Sequence, residues 1–266
     1  MLSLPLIGLI LLALVMYGAW QRQRRTGNAG IVDVLWAASL GGFALLYMVG
    51  ADGWWPRRLL VGSLAFAWSA RLTAYLFRRV SSEPEDGRYA SLREEWGTSF
   101  TSKLFWFFQA QAVLATLLSL PFLFLATSPV AEWRPQDGLA VLLWITSVVG
   151  ESIADRQLHA WRRNPANKGR TCRSGLWAYS RHPNYFFEWL HWLVYPVMAI
   201  GLSWGWTLWL APAVMLYLVL EVTGIPPTEA QSLRSRGDDY RAYQETTNAF
   251  FPGPTRRAAA EYPKTS

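Results

Sequence analysis

Cysteine is almost absent from this chain of 266 residues: Cys172 is alone, so no intrachain disulfide can staple the fold. Histidine is nearly as scarce. His159, His182 and His191 fall at spacings that match no familiar zinc pattern, and with a single thiol available the sequence predicts no metal site. There is no GxGxxG and no GxxxxGK, which argues against a separate soluble nucleotide-binding domain built on a glycine-rich phosphate loop. Without an internal repeat or low-complexity tract a solenoid has no support. Acids are also few, 18 against 25 lysines and arginines. The resulting charge of +7 would point to nucleic acid only if the basic residues shared one exposed face, and they do not.

What the chain has instead is apolar blocks. Runs near 2–20, 31–50, 57–78, 103–126, 137–156, 183–203 and 204–222 each approach or exceed the ~20 residues that a helix needs to cross a bilayer. The fold class expected is all-α integral membrane, with seven transmembrane helices and a cytoplasmic loop cap. A secretory signal peptide is the rival for the first run, but Arg22, Arg24 and Arg25 follow that run where a signal peptide would have them precede it. Between runs the basic residues alternate, with 21 on one side and three on the other, leaving only Arg71 inside a span. The positive-inside rule then predicts an outer amino terminus and a cytoplasmic carboxyl terminus. Trp54/Trp55 and Trp204/Trp206 fall at predicted outer boundaries, where amphipathic rings prefer to sit. One membrane domain over 1–253 and a disordered cytoplasmic tail over 254–266 are expected, the tail being rich in Ala and charge.

Ionisable groups are costly in hydrocarbon, about 3 kcal/mol or more each, so those within spans mark cavities. Asp33, Arg71, Glu151, Asp155, Glu188, His191 and Glu221 all fall in the predicted cytoplasmic half. Helical spacing groups them into stripes: Glu151, Asp155 and Arg162; Asn184, Glu188 and His191; Trp68, Arg71, Tyr75 and Arg78. Arginine forks suit phosphates, while carboxylates and Asn can hold ribose hydroxyls or a carboxamide. Together with Arg88, Arg93, Lys168, Arg170, Arg173 and Arg181 in the basic loops, they suit a polyanionic, hydrogen-bond-rich ligand such as a nicotinamide dinucleotide. Retention signals are basic too, so topology alone is the competing account of those loops.

Several segments carry a family resemblance. VDVLW (32–36), ARLTAYLFRR (70–79), DGRYASLREEWG (86–97), GESIADRQLHAWRR (150–163), SGLWAYSRHPNYFFEWLHW (174–192), PPTEA and DDYRAYQETTNAFFP resemble the steroid 5α-reductase superfamily, and its bacterial branch more closely. The resemblance spans about 30–252; the RHPNY element alone is shared with isoprenylcysteine carboxyl methyltransferases and integral-membrane sterol reductases. It implies an NADPH-dependent reductase in a bacterial inner membrane, monomeric, delivering hydride to the carbon–carbon double bond of a 3-oxo-Δ4 steroid or another lipophilic enone. Carried over, the family's cofactor residues fall on Arg71, Glu151, Asp155, Arg162, Arg170, Asn184 and Glu188. Tyr75, Arg88, Arg181, Tyr185 and Tyr240 complete the expected set. The animal enzymes have Gln-Glu where this chain has Val32-Asp33, and a ketone-binding Tyr falls on Trp68. The expected catalytic groups are therefore Asp33, protonated through burial, with Trp36 or Trp68 as a second donor. An S-adenosylmethionine-dependent membrane methyltransferase is the alternative, and a non-enzymatic lipid-binding scaffold a third reading.

Overall fold

The computed structural model describes residues 3–82 and 84–256, so most of the expected tail, from 257 onward, lies outside the described residues. Among them the chain is all-helical, without strands. The long helices are α1 (Ser3–Thr26), α2 (Ile31–Gly50), α3 (Trp55–Ser82), α5 (Phe100–Ala126) and α6 (Pro135–Arg163), with the short α4 (Gly87–Trp96) running into α5 through one tight turn. After them come α7 (Pro183–Trp192), α8 (Val194–Met198), α9 (Leu210–Tyr217), α10 (Ile225–Arg236) and α11 (Asp238–Thr246).

Among the described residues six helical stretches are long and apolar enough to cross a membrane: Ser3–Thr26, Ile31–Gly50, Trp55–Ser82, Gly87–Ala126, Pro135–Arg163 and Gly205–Arg236. They support a multi-pass membrane protein. The expected run over 183–203 is not among them. It is divided into α7 and α8, because Pro196 has no N–H to give the carbonyl of Trp192 and its ring crowds that turn.

The chain divides into two compact units, Met1–Val141 with Tyr195–Ala211, and Leu142–Val194 with Pro212–Ser266. In the first, α2 lies close against α3 because Gly41 faces Ser69. The Gly41 N–H donates to Ser69 Oγ at 3.0 Å, and that hydroxyl donates to the Ala37 carbonyl at 2.6 Å. A side chain at 41 would bring its Cβ to 2.5 Å from that oxygen. Small residues with a polar tie are a common device where lipid supplies no hydrophobic drive between helices. The opposite end of this unit is fastened by Arg57, fully buried, whose Nη2 donates to Asp137 Oδ2 and to the Glu132 carbonyl, each at 2.9 Å. Apolar residues of α1 such as Leu6, Ile10, Leu11 and Leu14 remain exposed, as a lipid-facing surface requires.

In the second unit the inner part of α6 packs on α7. A Cβ at Gly150 would lie 2.4 Å from the Phe187 ring, and Ser147 Oγ donates to the Phe187 carbonyl at 2.6 Å. The loop before α7 is held to α6 by the Trp177 indole, which donates to the Ala154 carbonyl at 3.0 Å, and by Gln157, which accepts from the Leu176 N–H at 2.9 Å. Val219, Ile225 and Phe250 form a small core with Tyr185, Phe186 and Trp189 packed against it.

Candidate functional site

In the first unit the chemistry gathers around Asp33, in the opening turn of α2. Its Oδ2 accepts from Arg88 Nη2 at 2.9 Å and its Oδ1 from the Tyr89 hydroxyl at 2.8 Å. Both donors come from α4. That helix starts where it does because Asp86 caps it, accepting the Arg88 N–H at 2.9 Å, and Asp86 is itself paired with Arg79 and Arg88. Burial alone would raise the Asp86 carboxyl; Arg88, Arg79 and the backbone N–H outweigh it and hold the group below the ordinary carboxylate range. Glu85 adds a further clasp, accepting from the Ala29 N–H at 2.8 Å and pairing with Arg93 at 3.1 Å. A recess beside Asp33 is lined by Asn28, Gly30, Leu76, Arg79, Val80 and Pro84.

Both Asp33 oxygens are thus engaged by side chains of α4. The donor with nothing to bind is one turn further along. Trp36 Nε1 is buried with no acceptor in reach among the described residues. Trp68 is fully buried in α3, and Arg71 and Tyr75 follow it half-buried.

In the second unit Glu151 and Asp155 are buried on α6, as the stripe predicted, while Arg162 at the end of that helix and Lys168 and Arg170 in the following loop are exposed. Asn184 and Glu188 are half-buried on α7. Asn184 Oδ1 is buried and has no hydrogen-bond partner among the described residues.

Arg181, Tyr185 and Tyr240, expected as cofactor ligands, each have partners within the protein. Arg181 Nε donates to Glu229 Oε1 at 2.7 Å, and its Nη1 donates to the carbonyls of Gln244 and Thr247 at 3.0 and 2.6 Å. His182 Nε2 lies 3.1 Å from the same Glu229 oxygen and the Tyr240 hydroxyl donates to it at 3.3 Å; Gln244 Nε2 donates to Oε2 at 2.6 Å. Tyr185 stacks on His182 and bonds Thr228 Oγ1 at 3.1 Å. Burial pushes the Tyr240 hydroxyl well up, with the Glu229 charge adding to it. Sequence reasoning missed Glu229 and Tyr89 as organising residues. Both lie in quoted motifs, PPTEA and DGRYASL, but neither sits on an apolar stripe.

The family profile described as a protein of unknown function, DUF1295, matches residues 19–247. The chain belongs to this family. The family includes steroid 5α-reductase-like proteins, and the match takes in every residue of the candidate site. An uncharacterised protein of Schizosaccharomyces pombe is 26% identical over 278 residues, covering 92% of this chain and 79% of the relative. No solved structure matches the chain.

Proposed function

We propose that the chain is an NADPH-dependent membrane reductase, with seven crossings and a cytoplasmic carboxyl terminus, acting on the carbon–carbon double bond of a 3-oxo-Δ4 steroid or a similar lipophilic enone. Asn184 carries the reading. A buried amide oxygen without a donor costs about 1–3 kcal/mol, and α7 keeps one at its first turn. That acceptor suits a ligand amide such as the nicotinamide carboxamide. The same unit carries the other groups a phosphorylated dinucleotide requires. The buried Glu151 and Asp155 and the half-buried Glu188 suit ribose hydroxyls. Exposed Arg162, Lys168 and Arg170 suit the phosphates.

NADPH, when bound, supplies the hydride. The chain's own task at the enone is to stabilise negative charge on the carbonyl oxygen as it develops. The Trp36 N–H, buried and without an acceptor, is the donor for that oxygen. Asp33, held by Arg88 and Tyr89, keeps the first turn of α2 fixed so that this donor is pre-positioned. Water supplies the final proton.

The test is to extract the full chain in detergent, identify any bound nucleotide by mass spectrometry, and follow NADPH oxidation with 3-oxo-Δ4 steroids and other lipophilic enones. NADPH or NADP+ on the protein and turnover of one enone are expected, with Trp36→Phe reducing turnover about a hundredfold. A bound S-adenosyl compound would replace the reading with a lipid methyltransferase. Protein that retains no dinucleotide and oxidises no NADPH with any of these enones would end it.

A further inference from the structure

Asn184 stands between residues that are all tied to one place. On its amino-terminal side Arg181 and His182 both reach Glu229 Oε1, at 2.7 and 3.1 Å. On its carboxyl-terminal side Tyr185 reaches Thr228 Oγ1 at 3.1 Å and stacks on His182 with ring centroids 5.3 Å apart. Pro183, between His182 and Asn184, is buried and fixes the backbone at the helix start. Glu229 is in turn held by Gln244 and Tyr240 of α11, and Arg181 Nη1 grips the carbonyls of Gln244 and Thr247 at the end of that helix. The Arg181 N–H donates to the Asn248 carbonyl at 2.8 Å. A segment of five residues, 181–185, is thus pinned on both flanks by Thr228 and Glu229, and only Asn184 keeps a buried polar atom unspent.

We infer that Glu229, with Thr228, is a positioning residue: it sets the orientation in which Asn184 is presented to the dinucleotide, so that α10 and α11 act as a brace for nucleotide binding. The inference rests on the reductase reading above. Glu229 itself touches no ligand. Three donors converge on its Oε1 and Gln244 holds its Oε2, and its side chain is largely shielded from water. The brace explains why three residues expected to grip the cofactor, Arg181, Tyr185 and Tyr240, face Thr228 and Glu229: they set where Asn184 stands.

The experiment uses the full chain in detergent and measures NADP+ affinity by calorimetry or quenching of tryptophan fluorescence, alongside thermal unfolding. Glu229→Gln keeps the size of the side chain but replaces a charged acceptor of four donors with a neutral amide. NADP+ affinity is expected to fall about tenfold or more, the usual loss when a group that orients a ligand-binding side chain is removed. The Michaelis constant for NADPH should rise by a similar factor while turnover at saturation changes less than threefold or so. Thr228→Val, which cuts only the Tyr185 tie, should weaken NADP+ in the same direction by a smaller factor, and it decides the matter if Glu229→Gln fails to fold. Asn184→Ala should weaken NADP+ at least as much as Glu229→Gln, and adding Glu229→Gln to it should cost little more, since both act through one side chain. Undiminished affinity in folded Glu229→Gln, or in Thr228→Val where that is the folded variant, would overturn the brace and leave the reductase reading intact. Wild-type protein that binds no NADP(H) would remove that reading, and the brace with it.

Discussion

Tyr89→Phe takes away one hydroxyl, the one that donates to Asp33 Oδ1 at 2.8 Å, and leaves the ring edge-on to Phe107. A hydrogen bond to a charged group contributes about 1.5–3 kcal/mol, with the upper part of that range reached where water cannot replace the donor. Tyr89 is 3% exposed. The other tie to the same carboxylate joins side chains that are 26% and 27% exposed, Arg88 and Asp33, so solvent screens it and about 1 kcal/mol or less is expected. The neutral phenol should therefore hold Asp33 more firmly than the charged guanidinium does. Double-mutant cycles separate the two: Tyr89→Phe with Asp33→Ala, and Arg88→Met with Asp33→Ala, read by reversible denaturant unfolding in mixed micelles. The first coupling is expected at about 1.5–3 kcal/mol and the second below about 1 kcal/mol. Additive effects in the first cycle, or the reverse order of the two couplings, would refute the account of how α4 fastens α2.

Two further predictions concern stability. Burial holds His182 below the ordinary histidine value, with Arg181 and Arg236 reinforcing it and Glu229 opposing. The folded protein therefore binds fewer protons there than the unfolded chain, so its stabilising effect is complete above about pH 6.5 and is lost progressively as pH falls below that value. Melting temperature followed from pH 7.5 down to about 5.5 should decline more steeply in wild type than in His182→Gln; parallel curves would show that another group governs the acid side. At the other end of the first unit, Arg57→Met leaves Asp137 buried with only the Arg134 N–H and no charged partner, and should cost about 3–5 kcal/mol, whereas adding Asp137→Leu should restore most of it. Thermal melts of the single and double variants check this, and a double variant as weak as the single one would contradict it.

The helices were legible because hydropathy and length are local properties: α1, α2 and α3 lie where the first three apolar runs do. The break at Leu193 was not legible that way, since the run stays apolar through it. Only Pro196 marks it, and a proline near a predicted span is often tolerated when neighbouring groups satisfy the freed carbonyl. Helical spacing likewise recovered what one helix decides. Glu151 and Asp155, one turn apart on α6, are both buried. Arg162 continues the same stripe and is exposed, because periodicity assigns a face but not the point at which that face leaves the packed interior.

The polar contacts between helices belong to a different scale. Asp33 and Arg88 are 55 positions apart, and Arg181 and Glu229 are 48 apart. No window used to read hydropathy or a helical face spans such a distance. A motif such as RHPNY therefore names residues that matter without dividing them into those that hold the fold and those left to hold a ligand. The division follows from counting partners. Arg181, His182 and Tyr185 have each satisfied a donor or acceptor on Thr228 or Glu229, and Asn184 retains an oxygen that has not. A buried acceptor kept open inside so fully bonded a segment is destabilising by itself. On the proposed reading a compensating gain on binding a hydrogen-bond donor accounts for its presence, which makes Asn184 the residue of that motif most directly answerable to the ligand and its neighbours answerable to Asn184.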